Sequence, residues 1–203
     1  MVTVAGEDLF TPIFNKLEGL VSAGRNAFNR HSRQDLEQLK ALHREIVLDI
    51  ADAIKKIEGT LAKKQAGERA EALKEQSLLT RLQLIAEKLG GLTEPIDKKI
   101  KDGVLFSEKA VSQTNYLFDH QAGILRSLLD ILKTDNAMLK RFVQEEGQKL
   151  VQDCINFATE HEDRLIEGLC LPQAAPLFLS ILDNMRTAAQ HEVDIAQMLA
   201  KKN

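Results

Sequence analysis

Apolar residues recur at steps of three and four along almost the whole of this 203-residue chain. That spacing constrains the fold more than any other feature. Phe10, Ile13, Leu17, Leu20, Gly24 and Phe28 trace one stripe. Leu36, Leu39, His43, Ile46, Ile50, Ala53, Ile57 and Leu61 trace a second, and Leu78, Leu82, Ile85, Leu89, Leu92, Ile96 and Ile100 a third. A helix brings such residues onto one face, whereas a half-buried strand needs strict alternation. Three more stripes follow: Ala110, Thr114, Phe118, Ala122, Leu125, Leu129, Leu132; then Leu139, Phe142, Leu150, Cys154, Phe157, His161, Leu165, Leu169; then Phe178, Leu182, Met185, Ala189, Val193, Ala196. Aromatics make up only 4% of the chain and Trp is absent. Cores of that kind pack aliphatic helices and not sheets, which favour β-branched and aromatic residues.

The punctuation divides the stripes into six helices. Ser32 or Asn29 can cap the second helix with a side-chain oxygen, and a polar stretch around Gly67 precedes the third. Lys101-Asp102-Gly103 is a C-terminal stop, and Ser107 is a natural N-cap beyond it. Thr134-Asp135 breaks and recaps, and Pro172 suits the first turn of the last helix, where its missing N–H costs nothing. Gly90-Gly91 costs about 1 kcal/mol per residue inside a helix, which predicts a close helix–helix approach there. Pro95 should kink or loosen the last turns of the third helix. Each helix has one apolar stripe, so three must pack together to hide it. The expectation is an all-α fold of two tandem three-helix bundles, residues 1–103 and 104–203, forming one pseudo-repeated domain with small crossing angles.

Composition excludes several function classes. The net charge of −3 offers no broad basic surface for nucleic acid. The lysines at 98–101 read as a solvated helix end, where cations suit the dipole. Cys154 and Cys170 lack metal spacing and make no disulfide framework, which fits a reducing cytoplasm. Residues 1–20 carry Glu7 and Asp8 and no basic segment, so no secretory signal is expected. No apolar run approaches the roughly 18–20 residues needed to span a bilayer. The first helix carries Leu9, Phe10, Ile13, Phe14 and Leu17 on one face but few basic residues, so it belongs in a bundle and not on a membrane surface.

Two stretches look like diverged copies of one helical motif. The later runs from Asp183 through Asn184-Met185-Arg186 and Gln190-His191 to Asp194-Ile195-Ala196, and the earlier from Glu87 through Gly90-Gly91 to Ile96. Both resemble the third-helix signature of PhoU-like domains, roughly leucine-Glu-Arg-Ile-Gly-Asp-His-x-x-Asn-Ile. The segments Ile100–Ala110, Glu160–Cys170 and Phe178–Asn184 are similar to successive parts of the PhoU-like cytoplasmic domain of bacterial sodium/phosphate cotransporters. The resemblance is detailed over roughly residues 78–203. It implies an accessory or regulatory module, non-catalytic, that acts on a membrane phosphate transporter or its sensor kinase. Such a module would be cytoplasmic, peripheral to the inner membrane through its partner and not inserted in it, with a homodimer possible.

In that family the signature Glu and Asp sit four apart on one helix face and can hold a metal cluster with hard oxygen ligands. Here Glu87 keeps the first acidic position and Gly91 takes the second. Arg186 and Gln190 occupy the corresponding positions of the later copy, followed by His191 and, at the Asn position, Asp194. Arg186 would repel a cation. No cofactor is assigned; a divalent metal, if bound, would use Glu87, His191 and Asp194.

The alternative reading is a metal-binding bundle with storage, sensing or oxidase activity, and a further one is a structural adaptor unrelated to phosphate. Di-iron bundles use paired Glu-x-x-His units, and this chain has none. His43 and His161 fall on apolar stripes as seam-edge residues with one bonded nitrogen. His120 and His191 are expected at similar height, with Asp153 between them. No Ser–His–acid order, phosphate-cradling glycine loop or zinc pattern appears, and Cys154 on an apolar face is expected to be inert.

Overall fold

Helix ends in this chain are set by caps of recognisable chemistry. The computed structural model describes residues 4–61 and 64–201; the outermost ends of the two expected repeats lie outside the described residues. Seven helices are present among them, and no strand: α1 Val4–Arg30, α2 Arg33–Leu61, α3 Ala66–Gly90, α4 Thr93–Lys101, α5 Glu108–Thr134, α6 Ala137–Ile166 and α7 Ala175–Ala200. The expected third helix is thus two segments, α3 and α4, interrupted at Gly91-Leu92.

Ser32 Oγ accepts from the Asp35 amide at 3.1 Å at the start of α2. Ser107 Oγ accepts from Ala110 at 3.3 Å at the start of α5. Gly103 and Gly168 take positive φ, 63° and 73°, directly after the caps of α4 and α6. A side chain there would be strained, which explains glycine at both stops.

Three local expectations need correction. Pro95 does not kink a helix end: it sits in the first turn of α4, where no amide donor is required. Pro172 lies in the connector before α7, and Pro176 occupies the first turn instead. The break after α5 is divided between two residues. Asp135 ends α5 at φ 52°, and Asn136 caps α6 by accepting from the Met138 and Leu139 amides.

Cross-helix contacts fix the topology. Lys16 bonds Asp49 at 2.8 Å (α1–α2) and Gln76 bonds Glu58 at 2.9 Å (α2–α3). Arg25 Nη1 donates to Asp119 at 2.5 Å (α1–α5), and Tyr116 donates to Asp153 at 2.7 Å (α5–α6). Together with the packing of α6 on α7 and of α3 on α7, these make a ring in the order α1, α2, α3, α7, α6, α5. One apolar cluster runs through both halves, from Phe10, Phe14 and Leu17 to Met185, Ala189 and Ile195.

Close approaches explain the glycines. A Cβ on Gly90 would stand 2.5 Å from the His43 ring, one on Gly91 2.5 Å from Asn184 Oδ1, and one on Gly147 2.5 Å from Val193 Cγ2. The buried stripe of α6 is Val143, Gly147, Leu150, Cys154 and His161, so Phe142 is turned out and half exposed. The expected stripe agrees at Leu150, Cys154 and His161 and departs by one position at Phe142, because Gly147 does not register as apolar.

Candidate functional site

The two signature-like stretches meet, because α3 and α7 pack antiparallel. Gly91 abuts Asn184 at one end of the contact. Arg81 Nη1 donates to Asp194 Oδ2 at 2.7 Å at the other end. Gln190 Nε2 donates to the second oxygen of Asp194 at 3.3 Å. His191 Nδ1 lies 3.9 Å from Asp194, too long for a hydrogen bond. Burial holds the His191 imidazole below the ordinary histidine range; Asp194 pulls the other way, and Arg81 and Lys88 reinforce the lowering. Asp194 is therefore already engaged by a guanidinium and an amide.

The remaining motif positions point elsewhere. Glu87 Oε2 is 3.3 Å from His43 Nε2 on α2, and Arg186 bonds Asp183 of its own helix at 2.7 Å. Glu87 is thus not brought together with His191 and Asp194. Among the described residues no three His, Cys, Asp or Glu side chains form a group able to hold a metal ion.

The expected pairing of His120 with His191 around Asp153 is replaced by separate partners. His120 Nδ1 faces Glu146 Oε2 at 3.2 Å and stacks on Tyr116, ring centroids 4.1 Å apart. Asp153 is taken by the Tyr116 hydroxyl. Burial, with the Asp153 bond next, raises the Tyr116 phenol far above its usual range. His161 is no seam-edge residue: it is 1% exposed, neither ring nitrogen has a partner among the described residues, and its ring rests on Phe178 at 4.8 Å. Burial pushes the Cys154 thiol up to about 12, which fits an inert core thiol.

Two functional-grade residues escaped the sequence reading. Lys99, expected as part of a solvated lysine run, is 4% exposed. Its Nζ donates to the Phe28 carbonyl at 2.9 Å and contacts His31 Nε2. It lies 4.7 Å from the Phe28 ring centroid and 5.7 Å from that of Phe106. Burial draws its ammonium down to about 8. His31, at φ 51° beyond α1, is itself held below its ordinary range by burial and by Lys99, so its neutral Nε2 is the hydrogen-bond acceptor that faces the ammonium. The cation closes the C-terminal end of α1, where free carbonyls and the dipole favour positive charge. The second residue is Glu192, fully buried on α7 and hydrogen-bonded to Gln121 of α5. Its place in the stripe, seven residues after Met185, was the available signal.

One end of the bundle exposes aliphatic side chains on the last residue of α6 and on two connectors. Ile166 is 85% and Leu169 63% exposed, and Leu105 and Leu171 are more than half exposed. Cys170 Sγ approaches Ser107 Oγ at 3.7 Å, which places the two connectors side by side. Phe106 packs beneath them on Val104, Ala174 and Leu177. Among the described residues no helix is long and apolar enough to cross a membrane. Comparison of the chain with models of known families, with curated proteins and with solved structures gives no match.

Proposed function

We propose that this protein is a PhoU-like accessory module that binds a membrane phosphate transport system from its cytoplasmic side and modulates it without catalysing a reaction. The observation that supports this reading most is the direct packing of the two signature-bearing helices, Gly91 against Asn184 and Arg81 against Asp194. A duplicated unit that had lost its metal-binding carboxylates would keep such an interface as a structural seam. Three of the four acidic positions here are filled by an arginine, an amide and a close-packed glycine, and Glu87 alone remains. The surface we assign to the transporter is the connector end with Leu105, Ile166, Leu169 and Leu171, since exposed apolar groups gathered in one place mark interaction sites.

Modulation then works by differential binding. The module shifts the transporter only as far as its affinities for two transporter states differ, about 1.4 kcal/mol for each tenfold. The test is purification of the tagged protein from solubilised membranes of phosphate-replete and phosphate-starved cells. Enrichment of a phosphate transporter or its sensor kinase, changing with phosphate supply, is expected. Recovery of neither, together with near-stoichiometric bound metal, would replace this reading with that of a metal-binding bundle.

A further inference from the structure

Glu192 is a carboxyl group in an aliphatic core. It has no exposed surface. Gln121 Nε2 donates to its Oε1 at 2.6 Å. Its Oε2 and the Gln121 Oε1 are both buried and both lack a partner among the described residues. Glu192 therefore has one satisfied and one unsatisfied oxygen, and Gln121 a satisfied nitrogen and an unsatisfied oxygen. Two acceptors left over on a bonded acid–amide pair are complementary to a single proton, because a protonated carboxyl supplies the missing donor.

We propose that Glu192 is a proton-binding site in the core: its neutral acid donates to Gln121 Oε1, closing a two-bond latch between α5 and α7, and loss of that proton to solvent opens the latch. On ionisation the carboxylate would keep only the Gln121 amide donor, and the Gln121 carbonyl would face a like-signed oxygen. A buried carboxylate without a counter-charge is strongly disfavoured.

The charges around α7 are committed elsewhere. On α7 itself Asp194 is held by Arg81 of α3, and His191 lies beside Asp194. Lys88 of α3 acts on His191. Lys99 of α4 is tied to Phe28, and His120 of α5 faces Glu146 of α6. None of them acts on Glu192. Burial drives its carboxyl well above the ordinary carboxylate range, and the Gln121 bond opposes that only in part.

A raised folded pKa means that the folded state holds the proton when the unfolded chain has released it. Stability is then greatest below the unfolded carboxyl pKa and falls as pH rises toward the folded value. Between those limits the folding equilibrium constant of the wild type should fall about tenfold per pH unit relative to Glu192→Gln, which keeps the shape and carries no proton. Urea unfolding of both proteins from pH 5 to pH 9 reads this ratio, and dividing the two curves removes other titrations. Infrared spectroscopy of wild-type protein carrying carboxyl-labelled glutamate reads the proton directly and does not depend on the variant folding. A protonated-carboxyl band at pH 7 is expected. A constant stability ratio across the range, or only carboxylate bands at pH 7, would overturn the proposal.

Discussion

Lys99 shows how far a single side chain can depart from its sequence context. It sits among Lys98 and Lys101, both exposed, yet its own side chain lies under Phe28 and Phe106. Nothing in a lysine run marks which member will be buried; the end of α1, with Phe28 and His31, and Phe106 from the connector enclose Lys99. Its ammonium is lowered to about 8 from 10.5, so between those values the unfolded chain binds more protons than the folded one. Stability contributed by this site therefore rises with pH across that interval. We predict that Lys99→Met loses this rise relative to wild type in urea melts at pH 7, 8, 9 and 10. At pH 7 the variant should also lose about 1–3 kcal/mol, since the Phe28 carbonyl is left without its donor. Cysteine reactivity gives a second residue-scale prediction. Cys154 is buried and Cys170 half-buried, so alkylation of the native protein followed by mass spectrometry should label Cys170 and spare Cys154, with both labelled in denaturant.

The helices themselves were legible from apolar spacing, because a stripe every three to four residues can be hidden only by helix packing. Their phase was less so. The α6 stripe passes through Gly147, which no hydrophobicity pattern counts, and that displaced the first turn of the expected face from Val143 onto Phe142, while Leu150, Cys154 and His161 are buried as expected. The Gly90-Gly91 pair did announce a close approach, which the structure shows against His43 and Asn184. The same geometry predicts opposite signs for two glycine substitutions. Gly147→Ala places a methyl 2.5 Å from Val193 and should cost about 1–3 kcal/mol through overpacking. Gly123, in α5, has nothing within 4 Å of an added Cβ, so Gly123→Ala should stabilise by about 0.5–1 kcal/mol. Chemical denaturation checks both, and in a double-mutant cycle Val193→Ala should relieve part of the Gly147→Ala cost.

At the scale of the whole molecule the ring of helices brings sequence-distant polar groups together, and this is where sequence reading ran out. The motif positions Glu87, Arg186, Gln190, His191 and Asp194 were visible as a set, but the partners Arg81 and His43 were not, because those pairings depend on which helices become neighbours. The ring also gathers Leu105, Ile166, Leu169 and Leu171 at one end, from the last residue of α6 and two separate connectors. Replacing Ile166 and Leu169 by Asp should leave the fold intact, since both side chains already stand in solvent, and thermal melts should differ little from wild type. The same double variant tests the central claim through phosphate uptake, measured with labelled phosphate in source cells that lack the protein, carry the wild type or carry Ile166→Asp/Leu169→Asp. We predict that the adjustment of uptake to phosphate supply is lost without the protein and is not restored by the double variant. Uptake that adjusts equally in all three would contradict the account.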